Sequence, residues 1–204
     1  SGEDEILVAT HNGKCIHFSE KDVRAMGRDT QGVKCMDLDD GDYLVSMICL
    51  KKDEPAKENE TEAITYKILT VSELGFGKRS NIDDYRLQTR AGKGIKAGVF
   101  NDKTGLLAGL KQVSNKDDAI LITDQGTIIR VTANEISEFG RDTLGVRVMK
   151  TASNEKIVSI AITPTNEDET VDEIETERVE NGEATVEPVE PQQFEIKDAS
   201  NEEL

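Results

Sequence analysis

The sequence predicts an all-β fold, a propeller-like array of about three four-stranded antiparallel blades, followed by a disordered acidic tail. Three observations carry that prediction. The run Gly27-Arg28-Asp29-Thr30-Gln31-Gly32-Val33 returns as Gly140-Arg141-Asp142-Thr143-Leu144-Gly145-Val146. A third copy aligns between them, with Gly13, Gly75 and Gly126 in one column and Gly32, Gly94 and Gly145 in another. Each copy holds four short apolar runs broken by turn residues, which reads as one small sheet per repeat and not as a helical solenoid.

The first module opens with Ile6 to Ala9, a turn at Asn12-Gly13 and a return run Cys15 to Phe18. Asn-Gly between apolar runs marks a tight hairpin, because both residues tolerate positive φ. A second hairpin is expected from Val33 to Leu38, a turn at Asp39-Asp40-Gly41, and Tyr43 to Leu50. The third module repeats the plan with Ile120 to Thr123, Ile128 to Val131, Val146 to Met149 and Ile157 to Ile162. Ser19 to Asp22 and Thr132 to Glu135 have the spacing of a capping box, so each link should open on one short helical turn. The blades span about 5–52, 63–115 and 117–164, within a domain ending near 165.

Charge divides the chain. Between Asn166 and Leu204 fifteen acidic residues face only Arg178 and Lys197, a net of −13 out of −16 for the whole chain. That aromatic-poor, Glu-rich stretch, 166–204, should be disordered. An acidic insert at 51–62 reads as a solvated loop between the first two modules. The sequence has no initiator Met, no run long enough to span a bilayer and no signal-peptide pattern; it reads as a cytoplasmic fragment of something longer, with no membrane partner. Cys15, Cys35 and Cys49 fall in expected strands and read as small buried hydrophobes. His11 and His17 read as surface residues of a hairpin, and no metal site is expected.

The folded part alone is nearly neutral, and its cations cluster. Gln88-Thr89-Arg90-Ala91-Gly92-Lys93-Gly94-Ile95-Lys96 mixes glycines with basic residues, preceded by Lys78, Arg79 and Arg86. Glycines there would let backbone N–H groups join the side chains at phosphate oxygens. Arg28, Lys34, Arg141 and Arg147 hold matching positions in the outer copies, with Arg24 and Arg130 nearby. If equivalent loops recur on one rim, they form a discontinuous basic belt along which duplex DNA could bend. The Lys93–Lys96 cluster lacks acids in its local sequence. Arg28 and Arg141 have a second reading, in which they pair with Asp29 and Asp142 and pin a loop. No aromatic residues alternate with the cations, so stacking on single strands is disfavoured.

Residues 88–94 resemble the box Gln-Arg-Arg-Gly-Gly-Lys-Gly of the gyrase-A family of DNA gyrase proteins, with Thr89 and Ala91 departing. Gly75-Phe76-Gly77-Lys78-Arg79, Leu121-Ile122-Thr123-Asp124 and the stretch from Glu135 to Val146 also resemble the last blades of that family's C-terminal domain. The resemblance runs from Ile6 to about Pro164. It implies a β-pinwheel that wraps duplex DNA for ATP-dependent negative supercoiling, in a heterotetramer of two gyrase A and two gyrase B chains. It implies a type IIA topoisomerase as the parent enzyme and a non-catalytic fragment here, with ATP and magnesium used elsewhere and no cofactor bound. Its box belongs to a first blade, so 88–94 reads as a degenerate later copy. The family's catalysis needs a tyrosine nucleophile, a neighbouring arginine and a separate acidic metal site. Here Tyr43 and Tyr66 fall in strand runs, and Tyr85 aligns with apolar Val23 and Ile136, a core column. No Gly-x-x-x-x-Gly-Lys-[Ser/Thr] loop is present. Two alternatives stay open: the corresponding C-terminal domain of topoisomerase IV, and a protein-interaction propeller, which would need exposed apolar anchors.

Overall fold

Among the described residues every element is a strand or a single helical turn, as the short apolar runs require. The computed structural model describes residues 2–56 and 62–165. The expected tail at 166–204, and the centre of the insert at 57–61, lie outside the described residues. β1 (Glu5–Thr10) and β2 (Lys14–Ser19) form the first hairpin, and Gly13 closes its turn at φ +82°. β3 (Leu44–Leu50) pairs with the other edge of β1, with a bulge at Ala9/Thr10. The second module contributes β4 (Tyr66–Ser72), β5 (Phe76–Ser80), β6 (Ile95–Lys96) and β7 (Leu107–Ser114). The third contributes β8 (Asp117–Thr123), β9 (Ile128–Thr132), β10 (Val146–Arg147) and β11 (Ile157–Pro164).

The sheets are antiparallel, and their strand orders are β3-β1-β2-β6, β10-β5-β4-β7 and β11-β8-β9. The fourth strand of each complete sheet therefore comes from the next module: Ile95 pairs with Cys15, and Val146 with Gly77. The expected second hairpin is not formed. Residues 33–38 are not a strand, and β3 turns back onto β1 instead. The physical reason is an exchange of partners. The column of Val33, Ile95 and Val146 makes its ladder with the preceding module, and among the described residues Val33 has no preceding sheet to join. The third sheet correspondingly has three strands among the described residues.

The sheets approach one another along β3, β7 and β11. Alternation along each strand sends successive side chains to opposite faces, so both faces carry apolar residues. Leu7, Ala9 and Cys15 pack with Ile68, Leu107, Leu110, Tyr85 and Ala97 between the first and second sheets. Leu69 and Val71 pack with Ala119, Leu121, Ile136 and Ile157 between the second and third. Val8, Ile16, Phe18 and Met36 cover the remaining face of the first sheet. Each fully buried Leu or Ile contributes on the order of 1.5–3 kcal/mol, which is how a chain without Trp builds its core. Tyr85 is buried in its column. Of the cysteines only Cys15 is buried, which pushes its thiol up to about 12; Cys35 is half-buried and Cys49 exposed, because residue 35 is not in a strand and Cys49 lies on the outward face of β3.

The expected helical turns are 3₁₀ turns at Glu20–Asp22, Ile82–Asp84 and Ala133–Glu135. Ser19 and Asn81 cap the first two by accepting from Lys21 N and Asp83 N, whereas Thr132 makes no side-chain cap. These turns set the direction of the basic loops that follow.

Candidate nucleic-acid interface

The ten cations expected at a phosphate surface divide into four that hold modules together and six that face outward. Arg90 reaches back to the first module, where its Nε donates to Asp22 O at 2.9 Å and its Nη1 to Lys34 O at 2.9 Å. Arg141 repeats this one module later, with Nε donating to Asp84 O at 3.0 Å and Nη1 to Lys96 O. Neither a phosphate-facing role nor a pairing with Asp142 describes Arg141, because its donors go to a neighbouring module's backbone carbonyls. Arg28, the first of that column, is exposed and its guanidinium makes no hydrogen bond or ion pair among the described residues.

Arg79 works in the opposite direction. Its Nε donates to Ile136 O at 2.7 Å, and its Nη atoms to Asn134 Oδ1 and O. His17 holds the same position in the first module. Its Nδ1 donates to Tyr85 O at 2.6 Å, and its Nε2 lies 3.0 Å from Glu5 Oε2. Short parallel bridges, His17 with Leu87 and Arg79 with Glu138, run beside both contacts. The expectation that His17 is a surface residue therefore fails: it is 6% exposed, because this column must feed a donor to the next module's carbonyl.

Lys78 is 2% exposed, and so does not present its charge to a ligand as expected. Its Nζ donates to the carbonyls of Gly140 (3.1 Å), Arg141 and Thr143 (2.8 Å) and lies 3.3 Å from Thr143 Oγ1. An ammonium carries three donors and no acceptor, so a ring of carbonyls is a suitable lining for it. Burial pulls its pKa down to about 8, and the neighbouring Arg141 pulls it the same way.

The outward-facing group is Arg28, Lys34, Arg86, Lys93, Lys96 and Arg147, all exposed or partly so. Lys96 stands opposite Lys14 in the β2–β6 ladder. In the second sheet Arg147 stands opposite Phe76, and its guanidinium carbon lies 4.8 Å from that ring's centroid, a cation–π contact. Lys93 is not free of acids. Its Nζ lies 3.1 Å from Asp37 Oδ2 and 3.2 Å from Asp39 Oδ1. Lys34 also pairs with Asp37, and Lys14 with Asp39. Backbone bonds from Ala91 N to Cys35 O (2.7 Å) and Asp37 N to Gly92 O (2.9 Å) lay the two modules' loops side by side and bring these groups together. Hydrogen bonds from Lys34 and then Lys93 hold the Asp37 carboxyl below its ordinary range; those from Lys14 and then Lys93 do the same for Asp39. Lys34 and Asp37 stand three positions apart and could have been paired from the sequence, and Lys14 and Asp39 belong to one module; what no local signal shows is that Lys93 of the next module joins both acids.

The arrangement presents cations and left-handed loop backbone on the outer edges of adjacent sheets. The family model of the DNA gyrase C-terminal domain, a β-propeller, matches residues 4–51, 66–114 and 117–164. The gyrase A protein of Lawsonia intracellularis is 44% identical over 152 residues, covering 74% of this chain and 17% of that protein. Its Escherichia coli K12 counterpart is 38% identical over 160 residues, covering 78% and 17%. The chain thus spans about a sixth of the length of the curated relatives it matches. A solved DNA gyrase A C-terminal domain superposes with a TM-score of 0.66 at 28% identity, covering 78% of this chain and 50% of that one. A solved topoisomerase IV C-terminal domain reaches 0.70 at 24% identity, covering 80% and 47%, a likeness of fold.

Proposed function

Because the chain belongs to the DNA gyrase C-terminal domain family, we propose that it binds and bends duplex DNA without sequence preference. In this reading it is part of a gyrase A protein in the bacterial cytoplasm and partners gyrase B. Its wrapping would support ATP-dependent negative supercoiling by the whole enzyme, whose ATP and magnesium sites lie outside this chain. The observation that carries the reading is the recurrence of outward-facing cations at equivalent loop positions: Arg28 in the first module, Lys34, Lys96 and Arg147 in one shared column, and Arg86 and Lys93 beside them. Lys78, Arg79, Arg90 and Arg141 serve that surface indirectly, by fixing the loops that carry it.

Topoisomerase IV is the second reading, on the strength of the shared fold. The sequence relatives, which are gyrase A proteins, favour the first.

Duplex affinity measured over a salt series tests the proposal. Neutralising roughly four to six phosphates should give log K against log salt a slope on the order of −4 to −5. Lys93→Ala with Lys96→Ala should weaken all duplexes alike and flatten the slope. A loss that depends on base sequence, or no loss at all, overturns the assignment.

A further inference from the structure

The carboxylates of Asp37 and Asp39 lie among the outward-facing lysines of the first junction. Each bridges two lysines through its two oxygens: Asp37 takes Lys34 and Lys93, and Asp39 takes Lys14 and Lys93. A phosphodiester offers its two non-bridging oxygens in the same way. The acids are carried on constrained backbone, since Asp37 N donates to Gly92 O and Asp42 N to Asp39 O, whereas the lysines are long and partly or largely exposed. Lys96, directly across the ladder from Lys14, adds a further positive charge beside them. Like charges directly opposite on a ladder repel, so this spot favours an anion of some kind.

The internal repeat supplies a comparison. Counting from Gly32, Gly94 and Gly145, the position of Asp37 is Val99 in the second module and Lys150 in the third. The position of Asp39 is Asn101 and then Ala152. Only the first copy carries carboxylates there, and it is the copy that faces the loop resembling the family's box. At the next junction Leu144 and Phe76 stand at the positions of Lys93 and Lys14, and Arg147, the counterpart of Lys96, rests on the Phe76 ring.

We propose that Asp37 and Asp39 are resident phosphate mimics, which DNA must displace to reach Lys14, Lys34 and Lys93. The inference rests on the duplex-binding reading above and adds a regulatory element to it. Exposed ion pairs are individually weak and exchange readily, so the carboxylates grade the affinity without blocking the site. They also change its salt dependence. Each phosphate taken by a lysine still releases its condensed cations, but the displaced carboxylate gathers cation in return, so the net release is smaller while the acids are present.

The test compares the chain with an Asp37→Asn, Asp39→Asn variant in duplex binding across a salt series. Asp83→Asn with Asp102→Asn serves as the control, removing the same charge elsewhere. The cluster variant should bind about tenfold tighter at low salt, and its slope should steepen by on the order of one to two. The control should shift less and keep the parent slope. Replacing Lys93 with Gln should then cost more affinity in the cluster variant than in the parent chain. Unchanged or weaker binding by the cluster variant overturns the inference, as does an equal response of the two variants. Thermal unfolding of each variant confirms that the fold is retained in the comparison. A parent chain with no salt-dependent duplex binding would fail the functional reading itself, and this inference with it. A parent that binds as expected beside an unresponsive cluster variant fails the inference alone.

Discussion

Two junctions hold the three sheets together, and they use the same columns of the repeat filled by different residues. At the first, His17 donates forward to Tyr85 O, Arg90 donates back to Asp22 O and Lys34 O, and Ile16 is buried beneath the loop of residues 89–94. At the second, Arg79 donates forward to Ile136 O, Arg141 donates back to Asp84 O and Lys96 O, and Lys78 takes the place of Ile16. The backward arginine is common to both, whereas the forward donor is exchangeable between an imidazole and a guanidinium. The buried position accepts either a hydrocarbon or an ammonium, but the ammonium brings a requirement: the loop above it must turn its carbonyls inward. Residues 140–143 do so. The geometry of a junction is thus kept through its backbone acceptors, and side chains vary around them.

The largest effect should come from the glycines that let the junctions close. A Cβ on Gly94 would overlap the Cys15 carbonyl, and one on Gly145 would lie 2.5 Å from Gly77 O, both at positive φ. These obstacles are backbone and cannot swing aside, so Gly94→Ala or Gly145→Ala should cost about 3 kcal/mol or more in urea unfolding. Gly32 has the same positive φ with nothing within 4 Å, so Gly32→Ala should cost only the conformational strain, roughly 1–2 kcal/mol. Equal losses at all three would mean that the junctions do not contribute as described.

An intermediate effect should separate the two buried columns. Lys78→Met keeps the stem and removes the ammonium, leaving three inward carbonyls without their donor, a loss of about 2 kcal/mol near neutral pH. Ile16→Met conserves volume and should cost under about 1.5 kcal/mol. The pH profile sharpens the contrast. With its folded pKa lowered to about 8, against an ordinary value of 10.5, Lys78 sheds its proton in the native state first. Between those values the unfolded chain binds more protons, so this group makes stability rise with pH, by up to about 1.4 kcal/mol per pH unit. Below 8 both states are protonated and its contribution is flat. Cys15 and Tyr85, each raised to about 12 by burial, act in the opposite sense above their ordinary values of 9.0 and 10.0. The difference between the parent and Lys78→Met isolates the lysine. A difference that stays constant from about pH 7 to 10 would refute the lowered pKa of Lys78.

The smallest effect concerns the loop of the first junction. Ala91 stands where the resembling box has glycine, and it adopts φ +67°. Ala91→Gly should relieve that conformation and raise stability by roughly 1 kcal/mol, offset in part by the greater freedom of glycine in the unfolded chain. Its counterpart Asp142 is not among the positive-φ residues, so Asp142→Gly should only destabilise. Calorimetry of the two variants reads the difference.

Much of this fold is written in local signals. Asn12-Gly13 and the glycine columns mark the turns, and the short apolar runs Ile6 to Ala9 and Ile157 to Ile162 mark the strands. The partner of a strand is a different matter. Ile95-Lys96 has the same periodicity whether it joins β5 or β2, so nothing local distinguishes a strand that stays in its own module from one that crosses to the preceding sheet. The interface is less legible for a related reason. Sequence displays the donors of Arg79, Arg90 and Arg141 but not the carbonyls 45 to 68 positions away that receive them. A lysine in a strand also reads as solvent-facing, and only the fold reveals the carbonyls around Lys78.

The exchange of strands also sets a schedule for synthesis. β1, β2 and β3 are complete once Leu50 has left the ribosome, yet the free edge of β2 is covered only when Ile95 and Lys96 emerge. At about 5–20 residues per second that is an interval of seconds, during which an unpaired strand edge faces the cell. The same two-residue strand of a neighbouring chain on the same messenger would fit that edge equally well. Intertwined dimers are therefore the expected by-product of crowded translation, and slow decoding between the first and second modules would raise their yield.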